Sequence, residues 1–278
     1  MPTTSSVMPN RSRSGINSGL DVLECLAAAD APLSMTEIAA SVGMAKSSVH
    51  QLLLALSARG YVQRQADQRY GVGVKAWEIG CRATFVEIGR VCEPYMAELV
   101  RTVSEGVSIG VLDDAHVVCI QIAESPQAVR VHNRVGERNP AHCLSNGLAL
   151  LSTLDDAEVR ERLPRRLEKI TPKTLSRIDE LLAELGRVRH RGYAVCRGSW
   201  RLDVAGVAVP IRGPDRRAVA GISIALPLDR LTAAHLQRIA SGLRHAAAGI
   251  EHQLGSPALW SRPPLPARRR REPAAATA

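Results

Sequence analysis

The sequence predicts an α+β protein with a small helical head and a larger antiparallel-sheet domain. The 278 residues exceed the ~100 to 200 residues of a typical single domain. Apolar residues recur at helical spacing near the start of the chain, whereas the later segment GVSIGVL (106–112) alternates branched with small residues. Strands in hairpin succession, with helices grouped between them, favour an antiparallel sheet over a doubly wound parallel one.

Composition narrows the class of protein. With 45% apolar and 23% charged residues the chain is globular, and no apolar run approaches the ~18 residues of a membrane helix. The opening MPTTSSVMPNRSRSG has no apolar core, so no secretory signal is predicted. The six cysteines are scattered without CxxC pairs and are interpreted as reduced thiols. We therefore expect a cytoplasmic protein without a membrane partner.

The net charge of +9 lies mostly at the two ends of the chain. Arg11 and Arg13 lie in the predicted disordered arm (1–13), and five arginines follow position 261 in the predicted disordered basic tail (255–278). Both segments are rich in Pro, Ala or Ser and bury little apolar surface. Bulk charge alone is therefore weak evidence for a nucleic-acid partner.

Three helices are predicted in the head, residues 14–73. The first carries a stripe of apolar residues at helical spacing: Ile16, Leu20, Leu23, Leu26 and Ala27. In SMTE, Ser34 and Glu37 have the spacing of a capping box that starts a second helix over 35–42. Gly43 supplies a turn, and a third helix begins near Ala45. The second and third helices with this turn are therefore predicted to form a helix-turn-helix.

The third helix has two faces. Leucines with Val49 form one face, while Ser47, His50, Gln51 and Leu54 fall on the other. The segments YVQR (61–64) and RYGV (69–72) then flank QADQ and predict a two-stranded wing. Five acids and five bases cancel between residues 15 and 75, but every base lies on the third helix, on the wing or just after it.

That outward face can be the solvated side of a small bundle, or it can contact DNA. The wing favours DNA, where Ser47 and Gln51 would meet base edges while Lys46, Arg64 and Arg69 would hold phosphates. The predicted DNA-binding residues are Ser34, Thr36, Lys46, Ser47, Ser48, His50, Gln51, Arg64 and Arg69.

The remaining chain divides into a linker helix and a second domain. Residues 74–93 are predicted as a helix that ends at Pro94, and residues 94–254 form the second domain. Its predicted strands cover 106–112, 116–123, 128–134, 192–197, 204–211 and 217–226. Its predicted helices cover 145–153, 155–163, 175–190 and 231–253.

The head sequence and two later stretches resemble the isocitrate lyase regulator (IclR) family of bacterial transcription factors. The later stretches are VGERNPAHCLSNGLALLS (135–152) and RGYAVCRGSWRLDVAGVAVPIRGPDRRAVAGISIALPLDRLT (191–232). The resemblance covers about nine tenths of the chain. It implies a winged head that binds operator DNA and a GAF/profilin-like domain that binds an effector.

The resemblance also implies a binding pocket. By position in the family pattern, the effector-binding residues correspond to Ser145, Asn146, Cys196, Gly206 and Ser223. The alternative is that these small residues only permit close packing. The chain departs from the family pattern at Gln51, Leu148 and Cys196, so the identity of the effector does not transfer.

An enzyme is the alternative class of function. GVSIG (106–110) satisfies the GxSxG pattern of serine hydrolases, but Ser108 lies inside a predicted strand rather than at a strand-to-helix elbow. Cys143 lies beside His142 without an orienting partner. No catalytic residue, metal site or cofactor is therefore expected, and a hydrolase using Ser108 or Cys143 remains the alternative.

The predicted function is sequence-specific transcriptional control by a small metabolite, a small organic or aromatic acid. The expected partners are a pseudo-palindromic double-stranded operator and the effector, with homodimers that pair into tetramers as the resemblance implies. When bound to DNA, the protein would associate with the bacterial nucleoid.

Overall fold

The computed structural model describes residues 15–80, 84–213 and 217–255. The predicted arm (1–13) and the tail beyond Gly255 lie outside the described residues. The chain divides into two units between Val86 and Glu87, a position inside the segment predicted as a linker helix. In the described part of the chain, no helix is long and apolar enough to cross a membrane.

The first unit contains a helical bundle and a short hairpin. Its helices are α1 (Gly15–Ala28), α2 (Met35–Val42), α3 (Lys46–Ala58) and α4 (Val74–Gly80), and its strands are β1 (Val62–Arg64) and β2 (Tyr70–Val72). β1 and β2 pair antiparallel, and an isolated bridge joins Leu33 to Tyr70. The core contains Val22 and Leu26 from α1, Ile38 from α2, and Val49 and Leu53 from α3.

Local sequence signals set the ends of α2. Ser34 and Glu37 form the predicted capping box, in which each side chain accepts a hydrogen bond from the other residue's backbone N–H. Gly43 ends the helix with a φ of 62°, a left-handed conformation that glycine adopts without steric cost. These two signals fix the turn between α2 and α3.

The predicted apolar stripe of α1 lies only partly in the core, to which it contributes Leu23 and Leu26. Val22 and Leu26 are buried together with Ser18, whereas Ile16 is 76% exposed and Leu20 50% exposed. The predicted stripe therefore mixed core residues with surface residues.

The predicted linker helix (74–93) is described in two parts, on either side of residues 81–83, which lie outside the described residues. α4 ends at Gly80, and α5 (Thr84–Val103) continues through Pro94 instead of ending there. A proline in a helix removes one backbone hydrogen bond. Here apolar packing outweighs that loss, because one face of α5 buries Ile88, Cys92 and Met96 together with Leu99 and Val103.

The second unit is built on one antiparallel sheet. Its strands are β3 (Gly106–Asp113), β4 (His116–Ala123), β5 (Arg138–Pro140), β6 (Ala194–Arg197), β7 (Val204–Arg212) and β8 (Ala218–Pro227), in the order β5-β4-β3-β8-β7-β6. The helices are α5, α6 (Ser145–Leu151), α7 (Asp156–Arg162), α8 (Ile178–Arg191) and α9 (Ala233–Leu254). The α+β class is confirmed.

The strand predicted over 128–134 does not form. The outer edge of β4 is instead occupied by the segment that follows: β5 pairs with His116–Val118, and Gly136 N–H donates to the Cys119 carbonyl at 2.7 Å. Residues 128–134 therefore have no strand to pair with, and Val129 is 68% exposed.

The sheet has a helical layer on each face. Large apolar residues of β3, β7 and β8 pack with α5 and α9 in one core. A second core contains α6, α7 and α8. Arg189 of α8 joins this layer, because its guanidinium donates to the carbonyls of Ser152 and Leu154 and to the Asp156 carboxylate at 2.8 to 3.0 Å.

Candidate functional site

The outward face of α3 is exposed within the first unit. Val49 and Leu53 are buried in its core, whereas Lys46, Ser47, Ser48, His50 and Gln51 are exposed. Leu54 continues this surface and is 53% exposed. The polar side chains predicted to contact DNA therefore lie together on one accessible helix face, with their roles as contacts still a prediction.

The two predicted wing arginines are in different surroundings. Arg64 is exposed at the end of β1, where its side chain contacts Gln68 and lies over the Tyr70 ring, 5.7 Å from its centroid. Arg69 is partly buried: its Nη1 donates to the Pro32 carbonyl at 3.0 Å and to Glu37 Oε2 at 3.1 Å. Arg69 thus holds the wing against the start of α2.

The remaining predicted contacts lie at the start of α2. The Ser34 hydroxyl accepts the Glu37 N–H at 3.3 Å, so this side chain serves the capping box. The hydrogen bond from the Ser34 backbone N–H lowers the pKa of Glu37 most, followed by the hydrogen bond of the Ser34 side chain and then by the charge of Arg69. Thr36 is exposed in the first turn.

A cavity of about 100 Å³ lies between α6 and the sheet of the second unit. All five predicted effector-binding residues line it: Ser145, Asn146, Cys196, Gly206 and Ser223. Sequence reasoning missed other lining residues: Ser108, Cys119, Val131, Asn133, Glu137, Asn139, Cys143, Ser199 and Trp200. The alternation of GVSIG could have indicated Ser108, because it places Ser108 opposite the face of Val107 and Ile109.

Small strand residues allow α6 to approach the sheet. A Cβ on Gly206 would lie 2.5 Å from Ser145 Oγ, and a Cβ on Gly221 would lie 2.1 Å from Asn146 Oδ1. Neither contact is compatible with an ordinary side chain at these positions. Glycines in β7 and β8 are therefore required for the observed position of Ser145 and Asn146.

Asn146 joins α6 to the sheet. Its Nδ2 donates to the Gly221 carbonyl at 3.3 Å and to Ser223 Oγ at 3.2 Å, and Ser223 Oγ lies 2.9 Å from Ser108 Oγ. The Asn146 Oδ1 is buried without a hydrogen-bond partner in the described part of the chain. This amide therefore has a structural role, and it retains one unused acceptor at the cavity.

Three thiols line the cavity in their neutral form. Burial raises the pKa of Cys196 to about 12 and the pKa of Cys119 to about 11. Burial, followed by the interaction with the neighbouring Cys196 thiol, raises the pKa of Cys143. None is a thiolate near neutral pH, so none is an activated nucleophile.

The cavity lining is nearly without formal charge. Among the described residues, its lining includes no lysine or arginine, and Glu137 is its one carboxylate. Arg130, Arg134, Arg197 and Arg201, which lie in the segments around the lining residues in the sequence, are not among the residues that line the cavity. Hydroxyl, amide and thiol groups are the polar groups offered to a ligand.

The geometry does not support the alternative of a hydrolase. Ser108 lies in β3 and pairs with Ile122 and Ser223 on the two neighbouring strands, not at an elbow. The His142 ring contacts the Glu168 carbonyl at 2.8 Å, and Cys143 Sγ donates to the Pro140 carbonyl at 3.0 Å. Neither adjacent residue activates the other. No metal-ligating cluster occurs among residues 15–80, 84–213 and 217–255.

Two family models match the chain. The IclR helix-turn-helix domain matches residues 17–66. The C-terminal domain of the bacterial transcriptional regulator IclR matches residues 83–252. The two matched ranges together include the residues of the α3 surface and those that line the cavity.

Curated relatives and solved structures agree. The HTH-type transcriptional regulator KdgR of Escherichia coli is 30% identical over 226 residues, 80% of this chain and 86% of KdgR. The regulator Rv1719 of Mycobacterium tuberculosis is 35% identical over 213 residues, 76% of this chain and 81% of its own length.

An IclR homologue of Microbacterium hydrocarbonoxydans, solved in complex with 4-hydroxybenzoate, has a TM-score of 0.77 at 26% identity and covers 87% of this chain and 99% of its own. The Thermotoga maritima IclR has a TM-score of 0.71 at 26% identity, and the match covers 87% of this chain and 98% of the Thermotoga chain. The chain therefore belongs to the IclR family and is a DNA-binding transcriptional regulator controlled by a small metabolite.

Proposed function

We propose that the outward face of α3 reads base edges in the major groove. The observation that carries this proposal is the exposure of Ser47 and Gln51 while Val49 and Leu53 are buried. An amide pairs best with adenine, and a leucine such as Leu54 can contact a thymine methyl group. His50 and Ser48 extend the same surface.

Phosphate contacts would fix the register of the head on DNA. Lys46 at the start of α3 and Arg64 on the wing are exposed cations suited to this role. Ser34 and Thr36 lie at the start of α2, the helix that crosses the backbone in this motif. Arg69 contributes mainly by holding the wing, because its donors already contact Pro32 and Glu37.

The regulator acts as a dimer that pairs into a tetramer on a pseudo-palindromic operator. Two heads are needed because one winged module contacts few bases. Exposed large apolar side chains in the first unit support a contact with a second copy: Ile16, Leu20, Val74, Trp77 and Ile79. Replacing Trp77 with aspartate should then shift the sedimentation coefficient toward that of a smaller species, and an unchanged value would count against this surface.

The effector binds in the cavity between α6 and the sheet, in contact with Ser145, Asn146, Cys196, Gly206 and Ser223. We propose that this effector is a small organic or aromatic acid. Trp200 and the aliphatic lining suit an aromatic body, and a benzoate-sized compound such as the 4-hydroxybenzoate bound by the Microbacterium homologue is a suitable probe. Since none of the described residues that line the cavity is basic, hydroxyl groups and backbone N–H groups would hold the carboxylate.

Binding controls operator affinity only if the effector prefers one of two conformations of the protein. A coupling of ~1 to 3 kcal/mol changes affinity about 5- to 150-fold. Calorimetry with 4-hydroxybenzoate and its neutral amide would show whether a carboxylate is required. Equal binding of the two compounds would contradict the acid class while leaving the cavity as the site.

The central experiment replaces Ser47 and Gln51 with alanine. Operator affinity, measured by fluorescence anisotropy on a site found by footprinting, should fall at least about tenfold, because two base contacts are lost. The control is Q237A/S241A, which removes the same two residue types at the same spacing from the exposed face of α9. Equal affinity of both variants and the wild type would refute the proposal.

A further inference from the structure

A second concave site lies in the second unit, away from the effector cavity. It is a cleft of about 660 Å³ lined by Arg160, Arg165, Arg166, Leu167, Ser176, Arg177, Ile178 and Asp179. We call these residues the arginine cleft. None of them lines the effector cavity. Four cations against one carboxylate give it a strong positive charge.

The backbone forces two of the arginines together. Arg166 and Arg177 form an isolated antiparallel bridge. The flanking hydrogen bonds run from Leu167 N–H to the Ser176 carbonyl at 3.0 Å and from Ile178 N–H to the Arg165 carbonyl at 3.2 Å. This is the pattern of a non-hydrogen-bonded pair, in which Cα atoms lie only ~4.5 Å apart and the side chains share one face. Like charges directly opposite each other are destabilising.

Among the described residues that line the cleft, the one carboxylate, Asp179, already has a hydrogen-bond partner. Asp179 Oδ1 accepts a hydrogen bond from Arg160 Nη2 at 2.8 Å. That bond, followed by the charges of Arg160, Arg177 and Arg165, lowers the pKa of Asp179. Within the described part of the chain, Arg165, Arg166 and Arg177 have no ion pair. Three guanidinium groups of the cleft lining thus lack an ion-pair partner of their own among the described residues, and Asp179 is the anion that Arg165 and Arg177 share with Arg160.

We propose that the arginine cleft binds a small molecule that carries a diphosphate or two phosphate groups. Guanidinium groups match phosphate oxygens with two parallel hydrogen bonds. Each phosphate carries about −1.5 to −2 at neutral pH, so two phosphates neutralise the three unpaired arginines. The cleft volume lies in the ~300 to 1,000 Å³ range of small-ligand sites, and the buried Leu167 and Ile178 are the apolar residues of its lining.

The test uses the full chain with inorganic pyrophosphate as the probe, in calorimetry and thermal unfolding at fixed ionic strength without DNA. Pyrophosphate should raise the Tm of the wild type saturably. In R166Q/R177Q its affinity should fall about 10- to 100-fold, because charge-assisted hydrogen bonds are lost. The ligand-free variant should unfold at the same or a higher temperature than the wild type, because the like-charge pair is gone.

The matched control is R101Q/R238Q, which removes two exposed arginines from α5 and α9. This control should bind pyrophosphate as the wild type does. An equal loss of affinity in both variants, or no saturable binding by the wild type, would overturn the proposal. A DNA-phosphate role is a separate outcome: unchanged pyrophosphate behaviour with a smaller salt dependence of DNA binding in R166Q/R177Q alone would also overturn it.

Discussion

The two faces of the six-stranded sheet are built from the same strands but have opposite chemistry. On one face, β3 and β8 contribute Val107, Ile109, Ile222 and Ile224, which are at most 1% exposed against α5 and α9. On the other face, alternate residues of these strands are small, and serines and glycines meet α6 around the cavity. One face is filled for stability, and the other leaves space for a ligand.

The largest expected effect is on the filled face. Replacing Ile224 with alanine should lower the free energy of unfolding by about 2 to 5 kcal/mol, because a buried side chain is removed from a close-packed core. Urea unfolding measures this loss. A change below about 1 kcal/mol would show that the filled face is loosely packed and would erase the contrast between the faces.

A smaller loss is expected where α6 meets the sheet. In Gly221→Ala the new methyl group would displace the Asn146 side chain, whose Oδ1 would lie 2.1 Å from the new Cβ. Such overpacking costs about 1 to 3 kcal/mol. Effector affinity should fall as well, because Asn146 lines the cavity. Unaltered effector affinity, measured by calorimetry, would separate Asn146 from the binding site.

The buried thiols of the two faces should both make the stability of the protein depend on pH in the alkaline range. Burial raises the pKa of Cys92, beside the filled face, and of Cys196, at the cavity, each to about 12. Above pH ~9 the unfolded chain loses thiol protons that the folded chain retains, so stability should fall with rising pH by up to about 1.4 kcal/mol per unit per thiol.

Cys92→Ala and Cys196→Ala should each reduce this slope between pH 9 and 11, as followed by urea unfolding. Both variants should retain the wild-type pH dependence between pH 7 and 8. A wild-type slope in both variants above pH 9 would contradict the assigned cause.

The smallest expected effect is that of Ser223→Ala. The variant loses the contacts of the Ser223 hydroxyl with Asn146 and Ser108, but Asn146 Nδ2 keeps its bond to the Gly221 carbonyl. A loss of about 1 kcal/mol is expected for such a hydrogen bond. Effector affinity sharpens the comparison of the two faces of the sheet. It should fall in Ser223→Ala and remain unchanged in Val209→Ala on the filled face.

Local sequence signals predicted the elements whose cause is local. Ser34, Glu37 and Gly43 define the ends of α2 through neighbouring backbone groups, and the alternation of GVSIG defines β3. Signals that depend on tertiary partners failed. Pro94 is tolerated because α5 is packed along its length, and 128–134 is not a strand because the next segment takes the edge of β4.

The site shows the same division. Resemblance to the family placed five residues that the structure brings together around the cavity. Glu137, Cys119 and Trp200 could not be predicted, because strand pairing and loop positions bring them there from distant parts of the chain. The sequence predicted a phosphate contact for Arg69, and only the folded head shows its contacts with Pro32 and Glu37.

The guanidinium of Arg189 has a mechanical consequence. It contacts the end of α6, the loop after it and the first residue of α7 from a position on α8, so we expect a displacement of α6 to move α7 and α8 by different amounts. A molecule that lifts α6 off the sheet would also change the spacing between Arg160 and Asp179, which lie on α7 and α8. Ligand binding in the effector cavity would then change the affinity of the arginine cleft for its ligand, and the reverse, through the contacts of this one side chain.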